Sequence, residues 1–197
     1  MHRHADAAET DGMLIRWARG YDLLLKIMTL GQEGHIRRRV TRAAGLEAGD
    51  RVLDVGCGTG TLALAAVEAV GPAGRVHGID PAPEMIARAK AKAKKAGAAI
   101  ELEVGVIEAL PLADQSIDVV LSTLMFHHLP GDDLQRAGLA EIRRVLAPGG
   151  RLLIVDFGKP DELVAKAEAA GFAAITTGRL GPRLLFTMHA KQDALPT

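Results

Sequence analysis

At 197 residues, 48% of them hydrophobic and 24% charged, the chain is long enough for one well-buried domain and short for two. Its 24 Lys and Arg balance 24 Asp and Glu, and aromatics make up only 3%, so no broad basic field or set of base-stacking platforms points to nucleic acid. A single cysteine, Cys57, excludes an internal disulfide framework and a multi-cysteine zinc site, and with neither a spanning-length apolar run nor a signal-like amino terminus the expectation is a cytoplasmic protein.

Residues 1–12 read as a loose polar tail. Its "HRH" has metal-compatible side chains but no companion ligands in sequence, so no metal is assigned. From Met13 to Ala44 the apolar positions Leu14, Trp17, Tyr21, Leu24, Leu25 and Met28 recur at three- and four-residue steps, which predicts an amphipathic cap split into two helices at Gly31 and Gly34. "IRRRVTR" (36–42) reads as a solvated face of the second helix. Strand "RVLDVG", helix "TGTLALAAVEAV" and strand "GRVHGID" follow. The next helix is "PAPEMIARAKAKAKKAG", with Pro83 in its first turn, a solvated "KAKAKK" face and Gly97 as its stop. Strands "AIELEVGV" and "SIDVVLSTL", helix "DDLQRAGLAEIRRVLAPGG", strand "RLLIVDF" and helix "DELVAKAEAAGF" come after. Two strands, "AAITTGRL" and "RLLFTMHA", close the chain.

Strands separated by helices imply right-handed crossovers. The expected fold is therefore α/β: one domain over 13–197 with a doubly wound, mostly parallel seven-stranded sheet. Its last two strands are joined too tightly for a crossover and must form an antiparallel hairpin. In such sheets ligands sit beyond the carboxyl ends of the strands where the winding reverses. The loops after Val55, Ile79, Val106, Leu121 and Val155 accordingly line the expected site.

A dinucleotide fingerprint needs glycines at the first, third and sixth positions of the turn after the first strand. Gly56, Gly58 and Gly60 occupy the first, third and fifth, and Thr61 the sixth. No lysine is near to make a triphosphate loop. Asp54, just before the turn, is unsuited to a phosphate and suited to an ammonium group. Asp80 ends the second strand, where a carboxylate can accept both hydroxyls of a ribose. A ligand with a ribose and a cationic amino-acid end fits both, and S-adenosylmethionine has those parts and no phosphate.

"VLDVGCGTG", "GIDPAPEMIARAKAKA", "EALPLADQSIDVVLSTLMFHHLP" and "EIRRVLAPGGRLLIVDF" together resemble the class I S-adenosylmethionine-dependent methyltransferases of the small-molecule branch, in register from about Gly49 to Gly158. The resemblance implies that Gly56, Cys57, Gly58 and Gly60 wrap the methionine and ribose, with Asp54 near the amino group. It further implies that Asp80 holds the ribose, Pro81 and Met85 flank the adenine, and the backbone at Ser122 faces the methionine end. Many similar chains carry an acid where this one has Val106 in "GVIEALP", which leaves the adenine to the backbone at Ile107 and Glu108 or to apolar packing. "YDLLLKIMTLGQEGHIRR" resembles the corresponding segment of the ubiquinone and menaquinone C-methyltransferases, which would bring Tyr21 near the methyl group or substrate.

His127 and His128 are the histidines placed for general-base work at the ligand edge, and adjacent side chains seldom point the same way. The segments left to cover the site, 13–44 and Met125 to Asp133, are rich in Leu, Met, Ile and Phe. A small, apolar or elongated acceptor is therefore expected, with no transmembrane span, peripheral membrane contact left open, and the oligomeric state not legible. Three alternatives remain: a quinol C-methyltransferase, an NAD-dependent oxidoreductase, and a binding protein for S-adenosylmethionine that does not catalyse.

Overall fold

A computed structural model describes residues 33–180 and 185–193. The expected tail, the first cap helix with Tyr21, and the "HRH" stretch lie outside them.

The described chain begins with α1 (Glu33–Ala43), then alternates β1 (Arg51–Val55), α2 (Thr61–Val70), β2 (Arg75–Asp80), α3 (Pro83–Ala96) and β3 (Glu101–Val104). A loop leads to β4 (Ile117–Thr123), a short 3-10 turn (Phe126–His128), α4 (Gly131–Val145), β5 (Leu146–Phe157), α5 (Asp161–Ala169), β6 (Phe172–Arg179) and β7 (Leu185–Gln192). The seven strands lie in the order β3-β2-β1-β4-β5-β7-β6. All pairs from β3 to β5 are parallel, and β7 runs antiparallel between β5 and β6. The winding reverses between β1 and β4, which makes the carboxyl ends of those two strands the crevice where such sheets take ligands.

The apolar runs of the central strands serve both faces of the sheet, as expected of parallel strands covered on each side. Leu53, Val120, Leu152 and Ile154 join the core beneath α4 and α5. Their neighbours Val52, Val119, Leu121 and Leu153 pack with Val40 of α1, with Ala44 just after it, and with Leu62, Ala63 and Ala66 of α2. A smaller cluster seats Ile86, Ala89 and Ala93 of α3 on Leu102 and Cys57. Pro83 starts α3, and Gly97 ends it in a left-handed conformation (φ 64°).

Three elements depart from the sequence reading. Gly34 lies inside the first turn of α1 and does not break it. The fourth strand's partner helix stops at Val145, five residues short of the expected end. Pro148 cannot donate to a helix and Gly149 takes φ 77°, so the chain instead pairs Leu146 with Ile117 and continues as strand β5 through a bulge. Finally, β3 pairs only through Val104, and Gly105 donates to Asp80 O at 3.2 Å as the chain turns over the sheet edge.

Arg144 ties down the loop between β3 and β4, which carries Val106 to Glu108 toward the crevice. Its guanidinium binds Glu141 and Asp114 and donates to the carbonyls of Leu110 (2.9 Å) and Leu112 (2.8 Å), while Glu141 accepts from Leu110 N at 2.8 Å. Arg144→Met keeps most of the aliphatic packing and strands those carbonyls. It is expected to lower the unfolding free energy by about 2 kcal/mol, read from denaturant midpoints, on the scale of charge-assisted hydrogen bonds partly replaced by water.

Candidate active site

The turn after β1 runs through three glycines in left-handed conformations: Gly56 (φ 71°), Gly58 (φ 53°) and Gly60 (φ 77°). Side chains are strained there, and at two of the positions they also lack room. A Cβ at Gly56 would lie 2.6 Å from Met125 Cγ, and one at Gly60 2.9 Å from Ala89 Cβ. Gly60 therefore serves the approach of α2 to α3, while Gly56 and Gly58 line cavities.

Asp80 is engaged by the backbone on both oxygens. Gly58 N donates to Oδ2 and Ala82 N to Oδ1, each at 2.9 Å. Gly56 N and Cys57 N both donate to Ile79 O, so the turn is pinned to the end of β2 at three amides. Burial raises the Asp80 carboxyl above its ordinary range and these two amides pull it back.

Asp54 is the most constrained group of the region. It is 1% exposed, and neither of its oxygens has a hydrogen-bond partner within 3.5 Å among the described residues. Ser122 Oγ on neighbouring β4 is likewise buried without one. Burial pushes the Asp54 carboxyl up to about 7; the charge of Arg37 and the amide of Ala63 oppose the rise, and the charge of Asp80 adds to it.

Two cavities share the walls formed by Gly56, Gly58, Thr123 and Leu124. The first, of about 90 Å³, is lined also by Asp80, Pro81, Met85, Val106, Ile107, Glu108, Met125 and His128. The second, of about 20 Å³, holds Arg37, Asp54, Cys57, Thr59 and Thr61. The expected residues thus divide: ribose and adenine candidates around one cavity, the carboxylate for an amino group around the other. Val106 closes a tight turn by a bridge to Ala109. Ile107 is anchored in the core, and a Cβ on Gly138 would meet its Cδ1 at 2.8 Å. Burial and the two nearby carboxylates push the Cys57 thiol up, which leaves it unsuited to nucleophilic work.

The two histidines part company. His128 lines the first cavity, and burial followed by the charge of His127 lowers its pKa, against the pull of Asp156. His127 turns to Asp156, with Nδ1 2.5 Å from Oδ1. Leu124, just before the 3-10 turn, takes φ 54°, rare for a leucine, and donates to Val155 O at 2.8 Å.

Two basic residues read as solvated are not. Arg37 is half-buried, with Nη1 3.5 Å from Thr123 Oγ1. Lys92 donates to Thr59 Oγ1 (2.7 Å) and Thr61 Oγ1 (3.3 Å), bracing the glycine turn from α3. A signal for Arg37 was present: Arg37, Val40, Thr41 and Ala44 fall on one helical face, and the last three are buried. No helix among the described residues is long and apolar enough to cross a membrane.

This sheet order, with a glycine turn at the switch point and Asp54 and Asp80 near the carboxyl ends of β1 and β2, is that of an α/β domain of the nucleoside-binding kind. Residues 52–150 match the family model described as a methyltransferase domain. The solved structure of an S-adenosylmethionine-dependent methyltransferase from Aquifex aeolicus is 30% identical, with a TM-score of 0.66, covering 79% of this chain and 88% of that one. The chain belongs to this family, the S-adenosylmethionine-dependent methyltransferases, whose donor is S-adenosylmethionine. The demethylmenaquinone methyltransferase of Thermus thermophilus is 40% identical over 144 residues, 71% of this chain and 62% of that protein. The ubiquinone/menaquinone biosynthesis C-methyltransferase of a Geobacter species is 36% identical over 142 residues, 71% of this chain and 59% of that protein. The chain spans about six tenths of the length of these curated relatives. The [4+2]-cyclase SpnF shares the fold, with a TM-score of 0.73 at 18% identity over 81% of each chain.

Asp54 binds its proton more tightly folded, at about 7, than at its ordinary value of 3.8. The folded state therefore takes up a proton between those values, and this contribution to stability is complete below about pH 4 and lost as the pH rises to about 7. Asp54→Asn removes it. The stability difference between variant and parent, without donor, is expected to grow in the variant's favour by up to about 1.4 kcal/mol per pH unit in that window, measured by denaturant unfolding from pH 4 to 8.

Proposed function

We propose that the protein transfers the methyl group of S-adenosylmethionine to a small, apolar or amphipathic acceptor. The observation that carries this reading is the buried Asp54 carboxylate, without a hydrogen-bond partner among the described residues, beside the Arg37 charge. An amino-acid end supplies both complements at once, an ammonium for Asp54 and a carboxylate for Arg37. A pyrophosphate supplies neither. Family membership, with Thr61 where a dinucleotide turn needs glycine, sets the NAD-dependent alternative aside.

When bound, S-adenosylmethionine supplies an activated methyl group on a sulfonium. The residues around it have positional tasks. Asp80, its oxygens already aimed by Gly58 N and Ala82 N, has lone pairs left for the ribose hydroxyls. The backbone of Gly56, Cys57 and Gly58 permits close approach, and Ser122 faces the methionine end. Pro81 and Met85 sandwich the adenine, whose edge meets the backbone at Ile107 and Glu108 with Val106 contributing apolar contact. Displacement at the methyl carbon disperses positive charge, so alignment of the acceptor is the main demand on the protein. His128, its imidazole kept neutral, stands on that wall. Identity to quinone methyltransferases runs from 33% to 40%, the latter to the Thermus protein, which favours a quinol as the second, narrower reading. A tailed quinol acceptor would meet the protein at a membrane surface, and a cytoplasmic location fits the single buried thiol.

Calorimetric titration tests the donor site. S-adenosylmethionine is expected to bind, and Asp80→Ala to weaken it by about 1 to 3 kcal/mol through lost charge-assisted hydrogen bonds. An ammonium beside Asp54 pulls its carboxyl down from about 7, so binding at pH 6 is expected to release close to one proton. Titrations in buffers of different ionisation enthalpy would read that release, and Asp54→Asn would abolish it. No binding at millimolar donor would end this reading.

A further inference from the structure

The mechanism above leaves one buried carboxylate unused. Asp156, near the end of β5, is 2% exposed. It directly follows Val155, which pairs with Thr123 of the donor cavity wall. Its oxygens grip the 3-10 turn from both sides: Oδ2 accepts from His127 N at 3.2 Å, and Oδ1 lies 2.5 Å from His127 Nδ1 and accepts from Phe157 N at 2.7 Å.

An ionised carboxylate only accepts, so a contact of that length puts the imidazole proton on Nδ1. Nε2 is then left with its lone pair. The His127 ring is 30% exposed, its centroid 3.9 Å from that of His128 and 5.3 Å from Phe157 in edge-on contact. His128 lines the donor cavity, and His127 lines a separate cleft of about 240 Å³ with Phe157. Phe157 is the one large hydrophobic residue exposed among those described, at 41%. A base one ring away from the wall of the donor cavity and an uncovered aromatic beside it are what a hydroxylated aromatic ring would use.

We propose that His127 is the general base for an acceptor hydroxyl, that Asp156 is its positioning residue, and that the acceptor is a phenol or hydroquinol resting on Phe157. The proposal rests on the methyltransferase reading and specifies its acceptor. The acceptor O–H bond breaks with its proton passing to His127 Nε2. The freed electron pair, on oxygen or delocalised to the adjacent ring carbon, forms the bond to the methyl carbon. The carbon–sulfur bond breaks and its pair stays on sulfur, leaving a neutral thioether. Where carbon is methylated, that ring carbon then gives up its own proton to solvent and aromaticity returns. Besides Asp156 and His128, the charged groups around His127 among the described residues are Lys159, Glu162 and Lys166, the last held by Gln135 and Asp132 of α4 at 2.7 and 2.8 Å.

The test uses the full chain, S-adenosylmethionine, and 1,4-naphthohydroquinone kept reduced as the acceptor probe. In Asp156→Asn and His127→Gln, donor affinity by calorimetry is expected to stay within about twofold, while kcat on the probe falls about 100-fold or more at pH 7 with KM little changed, the scale of a lost general base. The gap is expected to close as the pH rises through the probe's own ionisation, because solvent then delivers the anion, and Asp156→Glu is expected to regain part of the rate. Long-range proton–nitrogen NMR of the parent is expected to show the His127 proton on Nδ1. Parental kcat in Asp156→Asn, a loss of equal size at every pH, or a proton on Nε2 overturns the proposal. So does a parent that binds donor and leaves the hydroquinol unmethylated. Failure to bind donor defeats the methyltransferase reading instead, and if Asp156→Asn does not fold, His127→Gln and the NMR measurement decide.

Discussion

The hydrogen bond from Gly58 N to Asp80 Oδ2, with its companion from Ala82 N to Oδ1, is the constraint on which the crevice depends. A left-handed glycine turn has little intrinsic preference for one shape, since glycine loses more conformational freedom on folding than any other residue. Here the turn is stitched to β2 at consecutive amides, two of them on the Ile79 carbonyl and one on Asp80. The same carboxylate that would receive a ribose therefore also shapes the loop that would receive the methionine. Lys92 braces the turn from the opposite side through Thr59 and Thr61.

Against that rigid frame, Asp54 is held at a disadvantage. An isolated carboxylate taken from water is costly, and the protein's usual remedies are hydrogen bonds or protonation. Asp54 has no such bond within reach among the described residues, so its carboxyl rises to about 7 even with Arg37 opposing the rise. Asp80, nearly as buried, is stabilised by two amides and rises less far. The contrast is what the proposed donor site would use: neutral hydroxyls suffice for the carboxylate already satisfied, and a cation would relieve the other. An unsatisfied group at a binding site stores free energy that a ligand can release, which is a form of preorganisation.

Most of the fold was legible because it rests on period and punctuation. Alternating apolar runs, Pro83 and Gly97 around α3, and the tight link between the last strands all act locally. What escaped depends on partners distant in sequence. Pro148 and Gly149 mark only the end of a helix; that Leu146 goes on to pair with Ile117 is decided by β4. Arg37 and Lys92 sit in basic runs whose neighbours are exposed, and a charge run cannot say which member turns inward. Gly60 belongs to the turn by sequence, and the further demand that Ala89 on another helix places on its smallness has no local signal. The carboxylates Asp54 and Asp80 were legible because each lies at or next to the carboxyl end of a strand, a position with a physical meaning in this topology. Tyr21 lies outside the described residues.

The division of labour between His127 and His128 follows from the backbone that carries them. A 3-10 turn advances its side chains by about 120° per residue, so adjacent residues cannot share a wall. Leu124 enters this turn through a left-handed conformation that costs on the order of 1 kcal/mol for such a residue. The cost is sustained by the bond from Leu124 N to Val155 O and by Asp156, which binds both the backbone and the ring of His127. Packing alone does not require a buried carboxylate there: an apolar residue could fill the space without the desolvation penalty. A carboxylate fixes which imidazole nitrogen carries the proton, and an apolar side chain cannot. The strained entry, the buried acid and the oriented ring thus form one unit at the strand ends, set beside the crevice and separate from Asp54 and Asp80.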